Sequence, residues 1–195
     1  MDKRAKYILS MTMSVVLILF LYILAHETGH MIVMLSAGAV IDDFSIIGAH
    51  VSSHGGEYTP VSAMWMHANG AFLPVVVSLI YMLFYKKDSQ NLIYKVFSLF
   101  VAIVPFSSLL AWVIIPFVYM GGQAPAGDDV TKFLDVFTQY AHPLAVSAGT
   151  VILIAIGVLT AVKKQIFGNY YREIRNLRAE LVQDSKEKNS EKQSI

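Results

Sequence analysis

The sequence contains no cysteine and has few charged residues for its length. Of its 195 residues, 15% are charged and 55% are hydrophobic, whereas a soluble domain has about 25% charged and about 45–50% apolar residues. Without cysteine no disulfide can form, and any metal ligands must be His, Asp or Glu side chains. The formal net charge of +1 gives no electrostatic reason to expect a nucleic-acid partner.

In place of these features the chain has four long apolar segments, each near the ~20 residues needed to cross a hydrocarbon core. They cover residues 7–35, 61–85, 92–120 and 144–162. We therefore predict a four-span membrane core over residues 1–162, followed by a charged cytoplasmic tail over 163–195. The third segment contains Pro105 and Pro116, which should kink it or redirect its end.

The N-terminus resembles a signal peptide, because basic residues precede the first apolar segment. That apolar run is longer than the one in a signal peptide, and no small-residue cleavage site follows it. We therefore expect this segment to be retained as the first span.

The charges that flank the apolar segments alternate in sign along the chain. Basic residues precede the first segment and follow the second and fourth, whereas acidic residues follow the first and third. Cytoplasmic loops carry an excess of Lys and Arg, so we expect both termini to lie in the cytoplasm. Our default for the membrane itself is a bacterial plasma (inner) membrane. The predicted fold is an all-α integral membrane protein with four transmembrane helices, a short extracytoplasmic β-hairpin-like loop and a C-terminal cytoplasmic helix or tail.

The two extracytoplasmic loops contain local patterns of their own. Residues 44–47 and 50–52 suit short strands, which predicts a hairpin at the membrane surface. Residues 128–140 suit a short amphipathic helix at the interface.

The first apolar segment contains a motif with chemical meaning, His26-Glu27-Thr28-Gly29-His30. On a helix, His26 and His30 share one face and their imidazoles can converge on one metal ion. Glu27 lies beside them, where it can accept a proton from a zinc-bound water molecule. Binding to zinc lowers the pKa of that water from 15.7 to about 7. This HExxH pattern is typical of zinc proteases, in which the Glu is a general base.

The position of the motif favours a functional role. Glu27 is the only charged residue between Tyr7 and Ile41, and a charge at such depth costs about 2.5–3.5 kcal/mol, so it is functional by default. The alternative is that both histidines are polar residues that hydrogen-bond neighbouring helices. A helix rises about 28 Å from Tyr7 to His26, at about 1.5 Å per residue, which predicts a motif near the extracytoplasmic face.

A catalytic zinc ion usually has three protein ligands and one open position, so a third ligand is needed. The candidates in the loops and the second span are Asp128, Asp129, His50, His54, Glu57 and His67. The predicted topology favours the two aspartates, because the loop after the third span opens on the same side as the motif. One of them can cap the following helix while the other binds the metal. We prefer Asp129 over Asp128, and His54 is the main rival.

Three other polar residues lie within or near the ends of the spans. Asn69 could stabilise an oxyanion or hold the substrate backbone, but a buried amide more often hydrogen-bonds a neighbouring helix. His67 and His142 more often lie at the membrane interface than act as ligands.

The chain resembles the site-2-protease-like intramembrane metalloproteases, peptidase family M50. Residues 24–30 are similar to the first motif of that family, and residues 68–74 to its small-residue second helix. Residues 127–129, Gly-Asp-Asp, occupy the place from which the family supplies an aspartate as third ligand. The family's Asn-Pro-x-x-Asp-Gly motif is not present as such, so the chain would be a minimal or divergent member.

The resemblance implies zinc-dependent cleavage of membrane-embedded or membrane-associated peptide or protein substrates. His26 and His30 would then be zinc ligands and Glu27 the catalytic base. Our hypothesis is a zinc endopeptidase in the lipid bilayer, with the loop at 38–60 presenting the substrate as an added strand. The alternative is a non-catalytic metal-binding membrane protein, such as a degenerate protease scaffold or a zinc carrier.

Overall fold

The computed structural model describes residues 3–193 of the chain. Most of this part is helical, and a small two-stranded sheet follows the first helix. In chain order the elements are α1 (Lys3–Ser36), β1 (Ala39–Ser45), β2 (His50–Gly55), α2 (Pro60–Leu83), α3 (Leu92–Ser108), α4 (Leu110–Met120), α5 (Asp129–Phe137), α6 (Leu144–Lys163) and α7 (Ile166–Gln193).

Four helical stretches are long and apolar enough to cross a membrane. They are Arg4–Ser36, Pro60–Leu83, Leu92–Met120 and Leu144–Lys163. Each overlaps one of the apolar segments found in the sequence, so the expectation of a largely helical, membrane-compatible fold with a small hairpin is confirmed at this level.

The third stretch consists of α3 and α4, which are separated by the single residue Leu109. The interruption therefore lies a turn beyond Pro105 rather than at it. Pro105 has no N–H, so it leaves the carbonyl group of Val101 without its helical donor. The hydroxyl group of Ser78 in α2 donates to that carbonyl oxygen at 2.6 Å, which satisfies it and ties α2 to α3.

The helices run back and forth between two ends of the bundle. The hairpin end contains β1, β2, α5 and the second half of α1, where His30 contacts Met66 of α2. The tail end contains the start of α1 and the start of α7, where the hydroxyl groups of Tyr7 and Tyr170 lie 2.7 Å apart.

The first turns of α7 pack against the bundle at the tail end. Ile166 and Asn169 are buried, and the side-chain amide of Asn169 donates to the Tyr85 hydroxyl and the Lys87 carbonyl, both at 2.9 Å. The carboxylate oxygen Oε2 of Glu173 forms an ion pair with Nζ of Lys95 in α3, at 2.7 Å. The beginning of the charged tail is therefore fixed to α3 and to the segment that follows α2.

The hairpin is antiparallel, and its register changes between Ile41 and Asp43. Asp42 lies at this irregularity, so it and Asp43 can point their side chains towards different residues of β2. Asp42 contacts His54 at 2.5 Å and Asp43 contacts His50 at 2.7 Å. The sheet described has two strands, so each strand has one edge without a strand partner inside the described chain.

Candidate metal centre

Three side chains from α1 and α5 converge at the hairpin end of the bundle. The Nε2 atoms of His26 and His30 are 3.1 Å apart. The Oδ2 atom of Asp129 lies 3.5 Å from His26 Nε2 and 3.2 Å from His30 Nε2. These three residues form a group that could hold a metal ion.

The two neighbouring aspartates have different tasks in the structure. Asp128 is the N-cap of α5, and its side chain accepts hydrogen bonds from the backbone N–H groups of Val130 and Thr131. Asp129 is the first residue of the helix, and its carboxylate points at the histidines. The buried side chains of Val130 and Leu134 hold α5 against the bundle, which fixes where Asp129 lies.

The orientation of His30 is set by a backbone group of α2. Its Nδ1 atom lies 2.6 Å from the carbonyl oxygen of Met66, and a carbonyl can only accept, so Nδ1 carries the proton. In a neutral imidazole, Nε2 then presents a lone pair to the Asp129 carboxylate. The 3.2 Å contact between these two atoms therefore needs a shared cation, which is either a proton on Nε2 or a metal ion bound to both. The donor set is therefore suited to a metal ion.

The charge state of Asp129 agrees with this arrangement. Burial alone would raise the pKa of its carboxyl group, but the contacts with His26, His30 and His67 outweigh it and hold the pKa well below its usual range. Asp129 is therefore a carboxylate, which is the form that binds metal ions.

The two helices that meet at the site approach each other closely. A Cβ atom added at Gly29 of α1 would lie 2.2 Å from the backbone oxygen of Asn69. A Cβ atom added at Gly70 of α2 would lie 2.4 Å from Nε2 of His30. The Asn69 side chain donates to the carbonyl oxygen of Gly29 at 2.7 Å. Small residues on both helices thus place α2 directly behind the histidines.

The side-chain amide of Asn69 therefore hydrogen-bonds a neighbouring helix, which is the alternative role considered for it from the sequence. An amide nitrogen carries two N–H groups, so this contact uses one of them. The role of Asn69 in oxyanion stabilisation stays a prediction.

Glu27 is 4% exposed and lies in the same helical turn as the two histidines. It is one of two side chains of the motif that are buried, the other being His30. His26 is more open, with 25% of its side chain exposed, and the ring of Tyr22, one turn earlier, lies 5.9 Å from its ring. The role of Glu27 as the general base stays a prediction.

The remaining candidates lie elsewhere. His54 and His50 face Asp42 and Asp43 on the exposed hairpin, and Glu57 is exposed where the chain leaves it. His142 is exposed at the start of α6, where its Nδ1 accepts from the Leu144 N–H group at 3.3 Å. The two Asp–His pairs of the hairpin could not be predicted, because the register of the hairpin and its irregularity have no simple sequence signature.

Two contacts at the site were not expected from the sequence. One is the backbone carbonyl of Met66 on His30, for which a side-chain pattern gives no signal. The other is His67, whose Nδ1 lies 3.4 Å from Oδ1 of Asp129. His67 was named as a candidate third ligand, but its spacing gave no reason to connect it with Asp129.

Comparisons of the chain with protein-family models, with curated proteins and with solved structures find no match. The functional argument therefore rests on the geometry of His26, His30 and Asp129. Within the part of the chain that the structure describes, this is the group of three that could hold a metal ion.

Proposed function

We propose that the chain is a membrane-integral zinc endopeptidase similar to the site-2 proteases, a minimal or divergent member of peptidase family M50. The observation that carries the proposal is the convergence of His26 Nε2, His30 Nε2 and Asp129 Oδ2 on one point. Two ligand atoms of a tetrahedral zinc ion lie about 3.3–3.6 Å apart, since Zn–N and Zn–O bonds are about 2.0–2.2 Å long. The separation of 3.5 Å lies within this range, and those of 3.1 and 3.2 Å lie 0.1–0.2 Å below it.

The proposed roles follow from the chemistry of each side chain. Zinc, when bound, would polarise the scissile carbonyl group and lower the pKa of the attacking water. His26 and His30 would bind it through Nε2, and the Met66 carbonyl would keep the proton of His30 on Nδ1. Glu27 would accept the proton of the water on its carboxylate and pass it to the leaving amine.

The proposed orientation rests on charge. Lys86, Lys87, Lys163 and Lys164 follow the second and fourth spans at the tail end, and cytoplasmic loops carry the Lys and Arg excess. The tail end would face the cytoplasm, and the metal centre would lie near the extracytoplasmic face. The working membrane would be a bacterial plasma membrane.

The proposed substrate is a peptide or protein segment embedded in the membrane or associated with it. The hairpin has strand edges without a partner inside the described chain, and an extended peptide can add to such an edge. It is joined directly to α1, where the Glu57 N–H donates to the Ala37 carbonyl at 2.9 Å. Deletion of residues 44–52 should therefore reduce cleavage, and unchanged cleavage would rule out this role.

The test begins with metal content. Wild type, His30→Ala and Glu27→Gln are purified in detergent without chelators, and zinc per chain is measured. We expect close to one zinc ion in wild type and in Glu27→Gln, and a loss of zinc in His30→Ala. Absence of zinc from wild type would refute the metal centre and the proposal with it.

Cleavage is then measured in liposomes with a panel of single-span peptides labelled at both ends. Wild type should cleave at least one peptide and Glu27→Gln none. If wild type holds zinc and yields the same products as Glu27→Gln, the enzymatic proposal fails and a non-catalytic zinc protein remains.

A further inference from the structure

The carboxylate of Asp129 is contacted from two sides. Its Oδ2 atom faces the two histidines of α1, whereas its Oδ1 atom lies 3.4 Å from Nδ1 of His67 in α2. A carboxylate only accepts hydrogen bonds, so the His67 Nδ1 must carry the proton in this contact. The contact thus selects which of the two oxygens faces the histidines.

His67 belongs to a turn of α2 that holds several parts of the site. Met66, the preceding residue, contacts Nδ1 of His30 through its carbonyl group. Asn69 contacts the backbone of Gly29, and Gly70 lies against the ring of His30. This turn is therefore fixed to α1 through several contacts, and a side chain attached to it has a defined position.

The helix that carries Asp129 is held by Val130 and Leu134, but these contacts do not fix the rotation of the Asp129 side chain. α5 spans only Asp129–Phe137, and the loop before it contains Gly122 and Gly127, both with positive φ angles. The Asp129 side chain is 30% exposed, whereas the His67 side chain is 15% exposed. The rotation of the carboxylate therefore depends on the groups around it, and His67 is the partly buried side chain that contacts Oδ1.

We propose that His67 is a positioning residue of the metal centre, which holds Oδ1 of Asp129 so that Oδ2 is directed at His26 and His30. This inference rests on the metal site of the proposed function, but not on catalysis. The 3.4 Å contact is longer than a usual hydrogen bond of 2.7–3.2 Å, so His67 acts by orienting the carboxylate rather than by adding much stability.

The test is the affinity for zinc, measured by competition with a chromophoric chelator on the full chain in detergent. His67→Leu removes the donor but keeps an apolar side chain of comparable bulk, and we expect zinc to bind about 10–100-fold more weakly, as for other residues that hold a ligand. His67→Asn places an N–H group where Nδ1–H stands and should restore most of the affinity. His142→Leu is the matched control and should bind zinc like wild type.

Cobalt substitution separates positioning from direct ligation. If His67 only orients Asp129, the ligand atoms are unchanged, and the visible cobalt spectrum of His67→Asn should match that of wild type. Weak binding in both His67 variants, with an altered cobalt spectrum, would identify a direct ligand and overturn the proposal.

Two further outcomes distinguish this inference from the proposed function. Wild-type affinity in His67→Leu would overturn the inference and leave the metal centre intact. Zinc binding by wild type without cleavage would refute the peptidase, whereas the expected affinities of the His67 variants would still support the positioning role. Thermal unfolding of the metal-free proteins checks that each variant is folded before its affinity is interpreted.

Discussion

Gly70 and His30 are in such close contact that the glycine Cα lies directly behind the imidazole ring. A methyl group on Gly70 would be 2.4 Å from Nε2 and 2.6 Å from Cε1 of His30. It would also be 2.9 Å from Cε1 of His26. Position 70 of α2 therefore cannot carry a side chain without displacing the two histidines of α1.

Gly70→Ala should weaken zinc binding by at least about tenfold, because the methyl group displaces an atom that is placed to bind the metal. The zinc dissociation constant is the measurement. Gly149→Ala is the control, since nothing lies within 4 Å of a Cβ atom at that position. Equal affinities in the two variants would show that the helices separate without disturbing the histidines.

Ser78→Ala should destabilise the fold by about 0.6 kcal/mol, the average for hydrogen bonds between membrane helices, and by no more than about 1.7 kcal/mol, the largest value. The change leaves the Val101 carbonyl without a donor, because Pro105 has no N–H to offer. Ser107→Ala is the control, since the Ser107 hydroxyl bonds only within its own helix, to Val104. Unfolding in denaturing detergent measures the difference.

Pro105→Ala tests the same relationship from the other side. The new N–H group at position 105 can donate to the Val101 carbonyl, so the loss caused by Ser78→Ala should shrink in this background. A double-mutant cycle gives the coupling directly. Independent, additive effects would mean that Ser78 stabilises the helix pair in some other way.

Gly157→Ala should destabilise the protein by about 1–3 kcal/mol through overpacking. A Cβ atom there would lie 2.1 Å from Cε1 of Phe106, and Phe106 is buried in the core. Gly149→Ala on the same helix should be neutral or slightly stabilising, because alanine favours a helix and the space is open. Thermal melting of both variants tests the packing of α6 against α3.

The hairpin should respond to pH through His50. Its hydrogen bond with Asp43 raises the pKa of His50 above its ordinary value. A raised folded-state pKa means that the pair stabilises the hairpin at acidic pH, and that this stabilisation is lost as the pH rises through the raised pKa. NMR titration of the ring should give a higher midpoint in wild type than in Asp43→Asn, and equal midpoints would contradict the pairing.

Sequence reasoning reached the part of the site that depends on local geometry. Residues four apart share a helix face whatever surrounds them, so the spacing of His26 and His30 was sufficient to predict that they converge. The sequence predicted that one aspartate caps α5 while the other faces the histidines, and the structure assigns the cap to Asp128.

The contacts that depend on how helices are placed could not be predicted in this way. The Met66 carbonyl on His30 involves a backbone atom that every residue possesses. The closeness of Gly70 to His30 and the reach of His67 to Asp129 depend on the distance and rotation between α1, α2 and α5. The break at Leu109 lies between Pro105 and Pro116, at a position that the two prolines alone do not predict.

The separation of Asp129 from the two histidines along the chain has a consequence for biosynthesis. During synthesis, α1 is made first, and the nascent chain then holds only two of the three groups of the candidate centre. The third arrives with α5, after α2, α3 and α4 have been made. An incomplete chain stalled before α5 therefore has no complete metal centre, so any activity that depends on the centre begins only when most of the bundle has been assembled.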